Sequence, residues 1–245
     1  MHIVVTESYE ASAAYVANMI ARLIQAKPDC KLGLATGGTP VPIYQDLIEM
    51  NRKGEVDFAR VHTVNLDEYC GLTGDHDQSY RYFMDHNLFD HVNIDKANTF
   101  VASGIGDPAA NAAELDAKVA EGGPADLQLL GIGNNGHIAF NEAGDHLTAE
   151  SHIEHLTEST IRANARFFEK ESDVPTTAIT MGMRGILSAR TVVLVATGAA
   201  KTEAIRQLVS DGTVTTHNPS TFLKLHPDAW VVIDRALAEA AGYQA

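Results

Sequence analysis

A glycine-rich stretch, Gly131-Ile132-Gly133-Asn134-Asn135-Gly136, runs directly into His137-Ile138-Ala139-Phe140-Asn141-Glu142. An imidazole and a carboxylate at this spacing on a strand exit form a candidate acid–base pair, with the carboxylate orienting the ring. A structural histidine is the alternative. The first six residues also satisfy G-x-G-x-x-G, the pattern that seats a dinucleotide pyrophosphate on a helix N-terminus. That use needs the third glycine inside a helix packed on the strand, whereas Glu142 is followed by Ala143-Gly144-Asp145, which reads as loop. The motif also lies past the middle of the chain. These glycines are therefore read as letting a backbone turn approach a substrate closely.

Asp67 and Glu68 follow the apolar run VHTVNL (61–66). A carboxylate at the carboxyl mouth of a strand can act as a general base, and an Asp there can equally be a turn or capping residue. Thr36-Gly37-Gly38-Thr39-Pro40 places two glycines and two hydroxyls between a strand and a helix, where exposed N–H groups and the helix dipole suit an anion. No Gly-Lys-Ser/Thr follows, so this is no Walker A loop; a plain tight turn is its alternative. Lys201 opens another post-strand helix, a place where a cation is disfavoured unless it meets an anion. Arg166, in ANARFF (163–168), could close over a phosphate from a moving segment. For both residues a solvated surface position fits as well.

The elements that must position these groups alternate. Strands are expected at 2–5, 31–35, 61–66, 126–133, 190–197 and 229–234, with a weaker one at 176–181. Helical spacing covers 7–27, 41–53, 79–89, 108–121 and 198–211. Continuous apolar strands separated by helices imply a parallel sheet buried on both faces. The expected fold is α/β: one doubly wound, Rossmann-like domain over 1–245, with a mainly parallel central sheet flanked by helices. Ligands of such sheets sit beyond the strands' carboxyl ends, so TGGT, DEY, GNNGH and TGAAK should converge on one site.

Thirty-two acidic residues against 18 basic ones give a net charge of −14, which disfavours nucleic acid and anionic membranes as partners. No apolar run approaches the roughly 20 residues of a membrane span and no signal-peptide pattern opens the chain, so a cytoplasmic protein is expected. Two cysteines, Cys30 and Cys70, are too few for a disulfide framework or a thiolate metal site, and both are read as reduced.

LGLATGGTP (32–40), VNLDEYCGL (64–72), LLGIGNNGHIAFNE (129–142), ANARFF (163–168), TMGM (180–183) and LKLHPD (223–228) closely resemble the glucosamine-6-phosphate deaminases, almost end to end. The resemblance implies conversion of glucosamine 6-phosphate and water to fructose 6-phosphate and ammonia, in amino-sugar catabolism, with no metal and no cofactor. By matching motif, Asp67 resembles the base that moves a proton between C2 and C1. His137 resembles the residue that assists ring opening, and Glu142 its partner. Thr36, Gly37, Gly38 and Thr39, with Arg166 and Lys201, resemble the phosphate clamp. Asn135 stands where many members have Asp; an amide cannot accept a proton but can orient His137, and it is kept as a ring-opening residue. A mobile lid is expected at 156–175.

Two alternatives compete: a 6-phosphogluconolactonase-like hydrolase, which fits the Asp67-Glu68-Tyr69 and Asn141-Glu142 motifs less well, and a non-catalytic sugar-phosphate-binding regulator. The hexameric branch of the family has a second phosphate site built from a Ser, an Arg and a Lys. At the corresponding positions this chain has Asp145, His152 and Glu154, and no C-terminal extension follows AWVVID and its Ala-rich tail. A non-allosteric enzyme is expected, with a monomer preferred over a homo-oligomer.

Overall fold

The apolar runs become strands and the 3.6-residue patterns become helices, in a computed structural model that describes residues 1–165 and 168–244. In chain order the strands are β1 (His2–Thr6), β2 (Lys31–Leu34), β3 (His62–Asn65), β4 (Asp67–Tyr69), β5 (Thr99–Phe100), β6 (Leu127–Leu130), β7 (His152–His155), β8 (Thr177–Thr180), β9 (Thr191–Ala196) and β10 (Ala229–Asp234). The helices are α1 (Tyr9–Ala26), α2 (Val41–Arg52), α3 (Tyr80–Asn87), α4 (Pro108–Ala120), α5 (Glu158–Asn164), α6 (Met183–Ser188), α7 (Thr202–Val209) and α8 (Arg235–Ala240).

Seven strands form one sheet in the order β1-β10-β9-β6-β2-β3-β5, every neighbouring pair parallel. Val192 to Val195 of β9 and Val231 to Ile233 of β10 are at most 1% exposed, as strands covered on both faces require. Helix α1 shows how a flank is built: Ser8 caps it by accepting from the Ala11 N–H, and Ala13, Val16, Ala17, Ile20 and Ile24 turn one face into the core. Cys30 is buried, Cys70 is partly so, and both are free thiols. No described helix is long and apolar enough to cross a membrane.

The chain runs outward from β2 to β3 and β5, returns to β6 beside β2, and then runs the other way to β9 and β10. Strand order thus reverses between β2 and β6, and the crevice beyond their carboxyl ends is where such sheets take ligands.

A second sheet departs from the expectation of one. Strands β4, β8 and β7 form a small antiparallel sheet, with Asp67 opposite Thr180 and His152 opposite Thr180 on the other side. The weakly patterned 176–181 belongs here, and Asp67 to Tyr69 are strand residues rather than a loose strand mouth. Further helices at 183–188 and 235–240 lie outside the segments with expected helical spacing.

At the opposite, amino-terminal edge of the large sheet, buried Asp126 accepts two bonds from the Lys27 ammonium (2.8 and 2.9 Å) and one from the Lys31 N–H (2.9 Å). Arg190 adds a contact at 3.3 Å. Asp126→Ala leaves these donors without their acceptor, although Lys27 and Arg190 can turn to water. Thermal and urea unfolding should show a loss of about 2–3 kcal/mol, with the folded enzyme's kcat unchanged because this edge faces away from the site.

Candidate active site

The loop after β6 folds back on itself to present His137. The Gly133 N–H donates to the His137 carbonyl (2.8 Å) and the Gly136 N–H to the Gly133 carbonyl (3.1 Å). Gly136 has φ +86°, and a Cβ there would lie 2.0 Å from Asn218 Oδ1, so both its conformation and its packing exclude a side chain. The imidazole lies against Gly133, where an added Cβ would approach the ring to 2.4 Å.

Glu142 gathers the site's polar groups. Its Oε2 accepts from His137 Nδ1 (3.2 Å) and from Asn135 Nδ2 (2.7 Å), while Oε1 accepts from the Thr160 hydroxyl. Because an ionised carboxylate can only accept, the His137 proton is on Nδ1, which leaves Nε2 as the working nitrogen. Burial works to raise the Glu142 pKa, but the hydrogen bond and charge of His137, aided by Thr160 and Asn135, prevail and hold it at about 2. Asn135 also accepts from the His137 N–H (3.2 Å), so it braces both ends of the pair. An aspartate in its place would set a second carboxylate against Glu142.

Asp67 is joined to this loop through β8. The Thr180 hydroxyl accepts from the Phe140 N–H (3.0 Å), Asn141 Nδ2 donates to the Met181 carbonyl (2.9 Å), and the Met181 N–H donates to the Leu66 carbonyl (2.7 Å). Beneath lies an aromatic cluster: Tyr69 and Tyr80 have ring centroids 4.7 Å apart, and Tyr69 and Phe140 5.8 Å. Asp67 is 6% exposed and accepts no hydrogen bond from any described residue. Burial first, and then the neighbouring Glu68, push its carboxyl up to about 8.

The remaining expected residues frame the crevice. Thr36 to Thr39 form the turn after β2, with Gly37 at φ +90° and the Tyr9 hydroxyl donating to the Thr39 carbonyl (2.7 Å). Thr39 and Pro40 share a narrow cleft with Leu130, Gly131 and Val195, the ends of β6 and β9. Helix α2 has no side-chain cap, so its first N–H groups are not taken up by the protein's own side chains. Lys201 ends a short 3₁₀ turn that leads from Gly198 into α7, also without a side-chain cap. Arg166 lies outside the described residues. Residues that sequence reasoning missed are Thr157 and Thr160 at the start of α5, Thr180, and Asn218. Asn218 packs on Gly136 while its amide donates to the Ala204 carbonyl of α7 (2.9 Å). A hydroxyl or amide in a loop carries no sequence signal that it serves a partner so distant in the chain.

Fold and site together define a doubly wound α/β enzyme that gathers acid–base groups and anion-ready turns at the strand-order reversal. A family profile described as glucosamine-6-phosphate isomerases/6-phosphogluconolactonase matches residues 5–232. A glucosamine-6-phosphate deaminase of Clostridium perfringens is 49% identical over 243 residues, covering 98% of this chain and 99% of that one. The solved structure of a monomeric glucosamine-6-phosphate deaminase superposes with a TM-score of 0.95 at 39% identity, covering 98% of this chain and 100% of the other. A 6-phosphogluconolactonase from Thermotoga maritima shares the fold, with a TM-score of 0.74 at 19% identity, covering 96% of this chain and 99% of that one. The chain belongs to the glucosamine-6-phosphate isomerase/6-phosphogluconolactonase family and, within it, to the glucosamine-6-phosphate deaminases.

Asp67's raised pKa has a stability consequence. A carboxyl that is harder to ionise in the folded chain than in the unfolded one destabilises the fold as it ionises. Its contribution is fully present below the ordinary aspartate range and is lost as pH rises through about 8. Asp67→Asn should therefore raise the melting temperature above pH 8 by about 1–2 kcal/mol, roughly 2–8 °C. Below pH 5 the two proteins should melt together, and equal melting at all pH values would show that Asp67 ionises at no cost.

Proposed function

We propose that this chain converts glucosamine 6-phosphate and water to fructose 6-phosphate and ammonia, with Asp67 as the base and His137 as the ring-opening acid–base group. The observation that carries the reading is the His137 ring fixed by Glu142, with Nε2 left to work, on a loop tied to a buried carboxylate that accepts no hydrogen bond from any described residue. A cyclic amino sugar must first open, which takes proton transfer between the ring oxygen and the anomeric hydroxyl; Nε2 of His137 serves as that shuttle. Asp67 then takes the proton from C2 and returns it to C1. The resulting C2 imine is hydrolysed by water, releasing ammonia. No electrons leave the substrate, so the sequence of steps requires no redox cofactor.

The turn at Thr36 to Thr39 and the uncapped start of α2 would receive the phosphate together with Lys201 and Arg166, holding C1 and C2 against Asp67. Segment 156–175 serves as the lid in this scheme, since its Thr160 already touches Glu142. The enzyme works in the cytoplasm as a monomer. Lactone hydrolysis fits less well, because it gives a proton-holding base such as Asp67 no task.

Ammonia release from glucosamine 6-phosphate tests the activity. Asp67→Asn should lower turnover and C2-proton exchange by roughly 10²–10⁴-fold while leaving phosphate-dependent binding in place; wild-type exchange in that variant would remove Asp67 from the base role. His137→Gln should slow the closed-ring substrate and spare an open-chain analogue, and equal slowing of both would refute a ring-opening role.

The proposal also excludes activation by N-acetylglucosamine 6-phosphate. Asp145, His152 and Glu154 line a cavity of about 280 Å³. There His152 Nε2 lies 3.2 Å from Glu154, and the exposed Asp145 adds a second carboxylate. Two carboxylates repel a phosphate, so the kinetics should be hyperbolic with or without the acetylated sugar phosphate. Sigmoidal curves that it converts to hyperbolic ones would overturn this.

A further inference from the structure

Glu68 has no task in that scheme, yet it is 1% exposed and fully engaged. Its Oε1 accepts from the Tyr69 N–H (2.8 Å) and the Tyr80 N–H (2.9 Å), and its Oε2 from the Arg81 N–H (3.0 Å). Tyr80 and Arg81 open α3, whose cap Ser79 serves the Tyr82 N–H instead (3.1 Å). The carboxylate therefore satisfies donors that a helix start leaves over and sits at the favourable end of its dipole. In this way β4 is pinned to α3 at the residue that follows Asp67.

No cation offsets this charge. The ionisable groups around Glu68 are Asp67, Tyr69 and Cys70 from its own segment, and Tyr80 and Arg81 from α3. The guanidinium of Arg81 is committed elsewhere, to Asp85 (3.1 Å) and the Thr99 hydroxyl (2.9 Å). Across the small sheet Ile179 faces Glu68 and Thr180 faces Asp67, neither of them ionisable. Backbone dipoles alone hold the Glu68 charge, and Asp67 feels it at close range. Three N–H donors favour ionised Glu68 against burial, whereas nothing of the kind assists Asp67, so Glu68 gives up its proton first.

We propose that Glu68 is the positioning residue of the proton transfer: clamped to α3, it fixes the peptide that carries Asp67 and sets a permanent negative charge beside the base. The inference rests on Asp67 being that base. A fixed neighbouring charge makes Asp67 more basic and better able to take a carbon-bound proton, while the clamp keeps it aligned with C1 and C2. A glutamine at 68 offers one acceptor in place of two and turns an NH₂ toward backbone donors, weakening the clamp and removing the charge.

The test measures kcat, KM, C2-proton exchange and the pH profile of kcat/KM for wild type, Glu68→Gln, Glu68→Asp and Asp67→Asn. In Glu68→Gln, kcat should fall roughly 10- to 100-fold, with KM within about threefold because the phosphate-binding turns are untouched. The acid limb of the profile should move about one pH unit lower, since a lost negative neighbour lets Asp67 ionise more readily. Glu68→Asp keeps the charge but shortens the reach, so it should lose kcat while leaving the acid limb near that of wild type. A Glu68→Gln enzyme with wild-type kcat and an unmoved acid limb overturns the positioning role; an Asp67→Asn enzyme that still exchanges the C2 proton overturns the base assignment instead. Should Glu68→Gln not fold, carboxyl-carbon NMR on the wild-type enzyme tests the charge directly. Asp67 and Glu68 should titrate as a coupled pair with Glu68 ionising first, and two independent single-step curves would refute the coupling.

Discussion

Everything at this site depends on the Leu66 peptide, where the two sheets meet. Its N–H donates to the Leu34 carbonyl at the end of β2 (3.3 Å), and its carbonyl accepts from the Met181 N–H just past β8 (2.7 Å). One residue is thus the last rung of the parallel sheet and a link to the antiparallel one. The next residue, Asp67, leaves the large sheet at its ligand-binding edge and enters β4 at once. Its place is set by backbone hydrogen bonds on both sides rather than by contacts of its own side chain, which is what a base needs if its oxygens are to stay available. The same stretch of β8 holds the catalytic loop, since Thr180 takes the Phe140 N–H and the Met181 carbonyl takes the Asn141 amide. Misplacing the small sheet would therefore disturb Asp67 and His137 together.

The two carboxylates of the proposed chemistry are pushed in opposite directions by what surrounds them. Glu142 is about as buried as Asp67, but it accepts from an imidazole, an amide and a hydroxyl and stays ionised to about pH 2. Asp67 faces an aromatic cluster and another carboxyl, and keeps its proton up to about pH 8. An anchor must not exchange protons during turnover and a base must, so the hydrogen-bonded carboxylate suits the first task and the unsatisfied one the second. Sequence separation or residue type would not have told them apart; the donors around each one do.

The parallel sheet was legible because its strands are continuous apolar runs ended by Gly, Thr or Asp, and because cap residues such as Ser8, Ser79 and Asp107 stand just ahead of their helices. The small sheet was not. His152-Ile153-Glu154-His155 pairs as β7, yet it alternates half-buried and exposed positions with an exposed Ile153, so no apolar face announces a strand. Three-residue β4 is too short to carry a period. Of the site, His137, Glu142 and Asp67 could be singled out as chemical types at strand ends, and the structure brings Asn135, His137 and Glu142 into mutual contact. Thr160 and Asn218 could not be, because their partners lie 18 residues away at Glu142 and, for Asn218, at Gly136 and Ala204. Such contacts are made by topology, and neither residue differs locally from an ordinary loop or capping residue.

A chain with a net charge of −14 that takes an anionic substrate cannot rely on its overall field. Attraction must come from dipoles within a few ångströms of the ligand. The helix termini divide along this line: α1, α3, α4, α5 and α8 have their starts satisfied by Ser8, Ser79, Asp107, Thr157 and Asp234, while α2 and α7, which follow β2 and β9 at the crevice, have no side-chain cap. A cap there would place a competing oxygen where a phosphate oxygen has to sit. Asp234 shows that restraint: it caps α8 and takes the Thr197 hydroxyl, bracing the turn that leads to Lys201 without entering it. Phosphate recognition on this reading costs the folded protein some helix-end stability when empty, and the ligand restores it on binding, which couples occupancy of the site to its order.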